Sequence, residues 1–167
     1  MNYAAIKNYD IANGPGCRVS LFVSGCRHHC KGCFNEEAQA FDYGTEYTAE
    51  TRRELLSMLS DEHIAGLSIL GGEPFEPENR DEVYKLCKAA KSLYPEKDIW
   101  AWTGGEFEDL KSLPVMQYID VLVDGPFVES LKNLSLFYRG SLNQRVIDVK
   151  KSLEAGRGAF RLEGEWK

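Results

Sequence analysis

Val19-Ser20-Leu21-Phe22-Val23-Ser24-Gly25-Cys26-Arg27-His28-His29-Cys30-Lys31-Gly32-Cys33 runs an apolar segment straight into three thiols within eight residues. Its first five residues follow a strong turn signal, Asn13-Gly14-Pro15-Gly16, and read as a buried strand. The cysteines therefore stand in the loop at that strand's C-terminal end, where α/β sheets and barrels place their chemistry. Three thiols this close together are rarely a packing feature. Iron–sulfur clusters are usually held by four cysteine thiolates, so a set of three leaves one iron open, as a catalytic zinc site leaves one position for substrate. The competing reading is a small zinc site from Cys30 and Cys33 with His28 or His29. A disulfide is disfavoured, because nothing in the chain looks secretory.

Outward from this stretch the pattern alternates. Thr48 is a plausible N-cap with Glu50 in the first turn, and Leu55, Leu56 and Leu59 supply the apolar face of a helix ending near Asp61. Leu67-Ser68-Ile69-Leu70 is the second strand and leads into Gly71-Gly72-Glu73-Pro74. Asn79 and Glu82 resemble a capping pair for a helix whose apolar positions are Val83, Leu86, Cys87, Ala90 and Leu93, stopped by Pro95. Ile99-Trp100-Ala101-Trp102 forms a third strand, followed by a short helical stretch from Glu106 to Ser112. Ile119 to Val123 is the fourth, ending at Asp124-Gly125-Pro126-Phe127, and Arg145 to Val149 a weaker fifth. Tyr3 to Ile11 suggests an edge strand, and the tail from Lys150 is charged and poorly patterned.

Strands alternating with helices imply a parallel sheet with right-handed crossovers. A closed eight-stranded barrel takes roughly 200 residues or more, and the chain has 167. The expectation is a single α/β domain over residues 1–167: an incomplete, open β/α barrel with about five or six mainly parallel strands. Its 43% apolar and 28% charged residues suit a soluble, cytoplasmic globular protein with no membrane span. A net charge of −6 argues against a nucleic-acid partner, which would need a basic face.

Several side chains remain ambiguous on their own. Gly71 and Gly72 let backbone approach a ligand and Glu73 can hold an ammonium group, although a glycine turn explains them as well. Asp124 is either a polar ligand or a turn former. His28 and His29 read as solvent-facing, His63 as a helix-end residue, and Trp100 and Trp102 as core residues on one face of their strand.

The C-x3-C-x2-C spacing followed one strand later by Gly-Gly-Glu-Pro resembles the radical S-adenosylmethionine (SAM) superfamily. That resemblance implies a [4Fe–4S] cluster on Cys26, Cys30 and Cys33, with SAM bound at the open iron. It assigns Gly32, Cys33, Phe34, Gly71, Gly72 and Glu73 to the SAM pocket, with Glu73 at the methionyl amino group. The superfamily often has an aromatic where this chain has Gly32, which makes Phe34 the candidate for the adenine.

Asn13 to Arg18, Asp124 to Phe127, and Arg139-Gly140-Ser141-Leu142-Asn143-Gln144-Arg145 narrow the likeness. Over about Tyr3 to Arg145 the chain is similar to the activating-protein family of anaerobic ribonucleoside-triphosphate reductase. The family implies one-electron cleavage of SAM and formation of a glycyl radical on the large reductase, with a one-electron donor such as flavodoxin or ferredoxin. Alternatives are an activase of the pyruvate formate-lyase type, a radical SAM enzyme with a small substrate, and a non-catalytic zinc-binding module. The segment 139–145 reads equally as a surface loop and receives no catalytic role.

Overall fold

Alternation along the strands builds one sheet with two different faces. The computed structural model describes residues 1–155. Its strands are Asn2–Asp10 (β1), Cys17–Val23 (β2), Thr45–Glu46 (β3), Ile64–Gly71 (β4), Asp98–Trp102 (β5), Val121–Asp124 (β6) and Arg145–Asp148 (β7). The helices are Ala49–Leu59 (α1), Arg80–Leu93 (α2), Phe107–Leu110 (α3) and Val149–Ala155 (α4). Because successive side chains leave a strand on opposite sides, Val19, Leu21, Leu67, Ile69, Ile99, Ala101, Leu122 and Ile147 share one core with the apolar positions of α1 and α2. The residues between them serve the other face, where Trp100 packs with Val121, Val123 and Val146.

The strand order is β3-β1-β2-β4-β5-β6-β7. The central four, β2, β4, β5 and β6, pair in parallel, as their helical crossovers require. Both flanks are antiparallel: β1 on β2, β3 on β1, and β7 on β6. The sheet is therefore mixed and open, with β3 and β7 at opposite edges. Seven strands replace the five or six expected, since a two-residue β3 has too short a pattern to register. Tyr3 to Ile11 lies one place inside the edge, between β3 and β2.

Local signals account for much of the rest. Thr48 caps α1 reciprocally with Thr51: each backbone N–H donates to the other's hydroxyl. Val83, Leu86, Cys87 and Ala90 are buried on α2 as their spacing implies, whereas Leu93 at the helix end is exposed. Asn79 does not cap α2 with its side chain; its Nδ2 donates instead to the carbonyls of Ser24 and Glu73, 2.9 Å from each. Glu82 reaches Arg52 and Lys85, tying α2 to α1. The fourth strand starts at Val121 rather than Ile119, after a 3-10 turn over Pro114–Tyr118. The expected helix over 106–112 is the four-residue α3. Lys150 to Ala155 are helical in α4, and the rest of the tail lies outside the described residues. No helix among the described residues is long and apolar enough to cross a membrane.

Candidate active site

On the sheet's second face, a cavity of about 500 Å³ opens at the C-terminal ends of the parallel strands. Arg18 lies on the same face, near the N-terminal end of β2. It is fully buried, pairs with Asp98 at 2.7 Å, donates from Nε to Ser68 Oγ, and lies over the Trp100 ring. Ser68 in turn donates to the carbonyl of Asn13, which with Ala12 lines the cavity. An arginine opening an apolar strand was the available signal for this buried ion pair, and the pattern of apolar residues alone passes over it.

One wall of the cavity carries the cysteines. Cys26, Cys30 and Cys33 all line it, all as free thiols. The loop is tied down at intervals: Cys26 N–H donates to the Gln39 carbonyl, and the Arg27 N–H and guanidinium reach Glu76 and Glu78. Asn35 N–H donates to Cys33 Sγ at 3.4 Å, a kind of contact that tunes a cluster sulfur. Burial pushes the Cys26 thiol up to about 11, with the charges of Glu73 and the other two cysteines acting in the same direction. A bound cation reverses that balance by stabilising the thiolate. Among the described residues no three His, Cys, Asp or Glu side chains stand close enough together to hold a metal ion as they are placed. The donor set nevertheless suits an iron–sulfur cluster, being three unpaired thiols on one cavity wall.

Gly71-Gly72-Glu73 forms a second wall, beside the first. Gly72 N–H donates to the Val23 carbonyl and Glu73 N–H to that of Gly25, which locks the wall to the start of the cysteine loop. A Cβ on Gly72 would meet the Gly25 carbonyl oxygen at 2.6 Å, and Gly71 has a φ of +108°. The glycines are thus required first for close packing of two loops. Glu73 is buried, and its carboxylate accepts from Phe75 N–H, Thr103 Oγ1, Gly104 N–H and the His28 ring.

The remaining sequence candidates divide. Phe34 lines the cavity, 59% exposed and edge-on to Phe127 with ring centres 5.1 Å apart. Gly32 does not line it and faces Glu129 instead. Trp102 borders the cavity as well as stacking on Trp100. Asp124 is fully buried, where it accepts from Phe107 N–H and pairs with Arg145, so it braces β6 and α3. Both histidines of the loop are bonded to other side chains: His28 to Glu73, and His29 to Gln39. Of residues 139–145, Arg139, Gly140 and Gln144 line the cavity, and the segment is stapled by Gln144 Oε1, which accepts the N–H groups of Gly140 and Ser141. The contacts that His28, Thr103 and Asn79 make had no sequence signal, since the partners lie 6 to 55 residues away.

Residues 12–147 match a family model described as a 4Fe-4S single cluster domain. Three similar proteins bear the name anaerobic ribonucleoside-triphosphate reductase-activating protein. That of Enterobacteria phage T4 is 47% identical over 87% of this chain and 93% of its own length. That of Escherichia coli strain K12 is 42% identical over 87% and 97%, and that of Vibrio cholerae 43% identical over 86% and 96%. With identity at this level across nearly the whole length of each relative, and a thiol-lined cavity in the span that matches the cluster model, the chain belongs to the anaerobic ribonucleoside-triphosphate reductase-activating protein family.

Proposed function

We propose that this protein is a radical SAM activase that generates a glycyl radical on the large subunit of anaerobic ribonucleoside-triphosphate reductase. The observation that carries the reading is that Cys26, Cys30 and Cys33 share one cavity with Gly71-Gly72-Glu73, so a cluster site and an ammonium-binding carboxylate would border the same space. In this reading the three cysteines hold a [4Fe–4S] cluster, and Glu73 takes the methionyl amino group of SAM. When bound, cluster and SAM supply one-electron cleavage to methionine and a 5′-deoxyadenosyl group that takes a hydrogen atom from glycine.

This chain's residues bind, orient and exclude water. The volume suits a ligand of SAM's size. Gly71 and Gly72 leave the wall thin, and Phe34 with Phe127 offers aromatic faces for an adenine. The open sheet, read as an incomplete barrel of the radical SAM type, leaves the cavity mouth accessible to a polypeptide. Leu134, Phe137 and Leu142 near that mouth are 84%, 53% and 53% exposed, an apolar rim suited to the reductase rather than to a small metabolite. A one-electron donor such as flavodoxin or ferredoxin supplies the electron. Five free cysteines fit a reducing cytoplasm. The zinc-module alternative is less well supported because a ring nitrogen of each loop histidine is taken by another side chain, His28 by Glu73 and His29 by Gln39.

The test is electron paramagnetic resonance on anaerobically reduced protein mixed with SAM and reductase. A glycyl radical on the reductase is expected. A radical formed only on another glycyl-radical enzyme, such as one of the pyruvate formate-lyase type, would move the function there, and a colourless zinc-bearing preparation would end the radical reading.

A further inference from the structure

The Glu73 carboxylate has about four lone-pair positions, and all four are filled. Phe75 N–H donates to Oε1 at 3.0 Å and Gly104 N–H to Oε2 at 2.9 Å. The Thr103 hydroxyl, which lies 2.9 Å from both oxygens, has one proton to give. His28 Nε2 completes the set at 2.9 Å from Oε2. Three of the four donors belong to the turns after β4 and β5, two of them backbone groups. Only His28 comes from the cysteine loop, and its side chain is 34% exposed against 6% for Glu73. The ring also has a fitted seat: a Cβ on Gly104 would lie 2.6 Å from His28 Cδ2, so the imidazole rests on the bare backbone of that glycine.

We infer that His28 is a place-holder, occupying the acceptor position on Glu73 that the methionyl ammonium of SAM takes, and that SAM binding exchanges one donor for the other. The inference rests on the reading that Glu73 receives the ammonium. An incoming ammonium needs an acceptor that is already occupied, and displacing Phe75, Thr103 or Gly104 would undo a turn of the fold. Releasing His28 costs one hydrogen bond and moves a side chain already at the surface. The exchange keeps the buried carboxylate satisfied before and after binding, since an uncompensated buried carboxylate would be costly. It also makes His28, midway between Cys26 and Cys30, a positioning residue whose grip is released when the cavity fills.

The experiment uses the full chain, reconstituted anaerobically, with iron per chain, melting temperature and SAM affinity by isothermal titration as readouts. His28→Ala is expected to keep the iron of the unsubstituted chain and to bind SAM about threefold to tenfold more tightly, the factor that a net hydrogen bond represents. His28→Gln retains an amide donor for Glu73 and is expected within about twofold of the unsubstituted chain, on the same accounting. Weaker or unchanged SAM binding by His28→Ala at full iron overturns the inference, as does loss of iron, which would make His28 a brace for the cluster loop. Glu73→Gln separates the two levels. If it binds SAM like the unsubstituted chain, the ammonium site lies elsewhere and the reading of Glu73 itself fails. If it binds weakly while His28→Ala is unchanged, that reading stands and the exchange alone is wrong.

Discussion

The two walls of the cavity are built on opposite plans. From Arg27 to Cys33 every residue is at least half-buried to exposed, and the loop is held at a few points by long side chains and carbonyls. From Glu73 to Glu76 every residue is buried, the backbone donors of Gly72 and Glu73 are bonded, and the Glu73 carboxylate is saturated. The thiols themselves do little to organise their wall, because thiols make weak hydrogen bonds and partial burial raises the Cys26 thiol to about 11. The carboxylate wall must be finished beforehand, since an unsatisfied buried charge would be expelled. In the proposed reading one wall is left for its cofactor to complete, and the other is completed by the fold.

That contrast breaks most visibly at the cysteines. Serine at Cys26, Cys30 or Cys33 is expected to reduce iron to background and abolish SAM cleavage, while leaving the melting temperature of the metal-free protein nearly unchanged. Cys17→Ser and Cys87→Ala are expected to keep the iron. Cys17 starts β2, roughly 20 Å from the loop at the strand's other end, and Cys87 is core. Iron lost on changing either would reveal a fourth protein ligand and remove the open iron.

On the rigid wall the effect should fall on folding. In Gly72→Ala the new methyl meets the Gly25 and Ala38 carbonyl oxygens, and the chain should lose about 1–3 kcal/mol, seen as a melting point several degrees lower even without iron. An unchanged melting point would mean this wall is as yielding as its neighbour.

Outside both walls, Leu134→Asp or Phe137→Asp should slow radical formation on the reductase roughly tenfold, the effect of one interface anchor. SAM cleavage without reductase should stay the same. Equal losses in both assays would make the rim part of the SAM pocket.

The smallest change is expected from Arg27→Ala. Its guanidinium ties the cysteine loop to Glu76 and Glu78 and lies over Phe41, but the side chain is half-exposed. Cluster lifetime in the presence of a chelator should shorten about twofold to fivefold with no shift in melting, as suits an exposed ion pair. A large fall in melting point would show the thiol wall to be as integral to the fold as the other.

What was legible from the chain alone was chemistry that neighbours in sequence decide. Alternation in Val19 to Val23, the Thr48 cap, the helical spacing from Val83 to Ala90, and the thiol and glycine motifs at strand ends each depend on a few consecutive residues. The α/β class and the strand ends bearing the candidate site follow from them. Contacts between distant residues were decided by the tertiary structure. Arg18 meets Asp98 80 positions away, Arg145 reaches back 21 to Asp124, and His28 crosses 45 to Glu73. The antiparallel flanks belong to the same class, because a strand's own alternation does not depend on which way its neighbour runs. A polar side chain carries its valence in the sequence, but its partner is chosen only when the chain brings two loops together and burial forbids either group to remain unpaired.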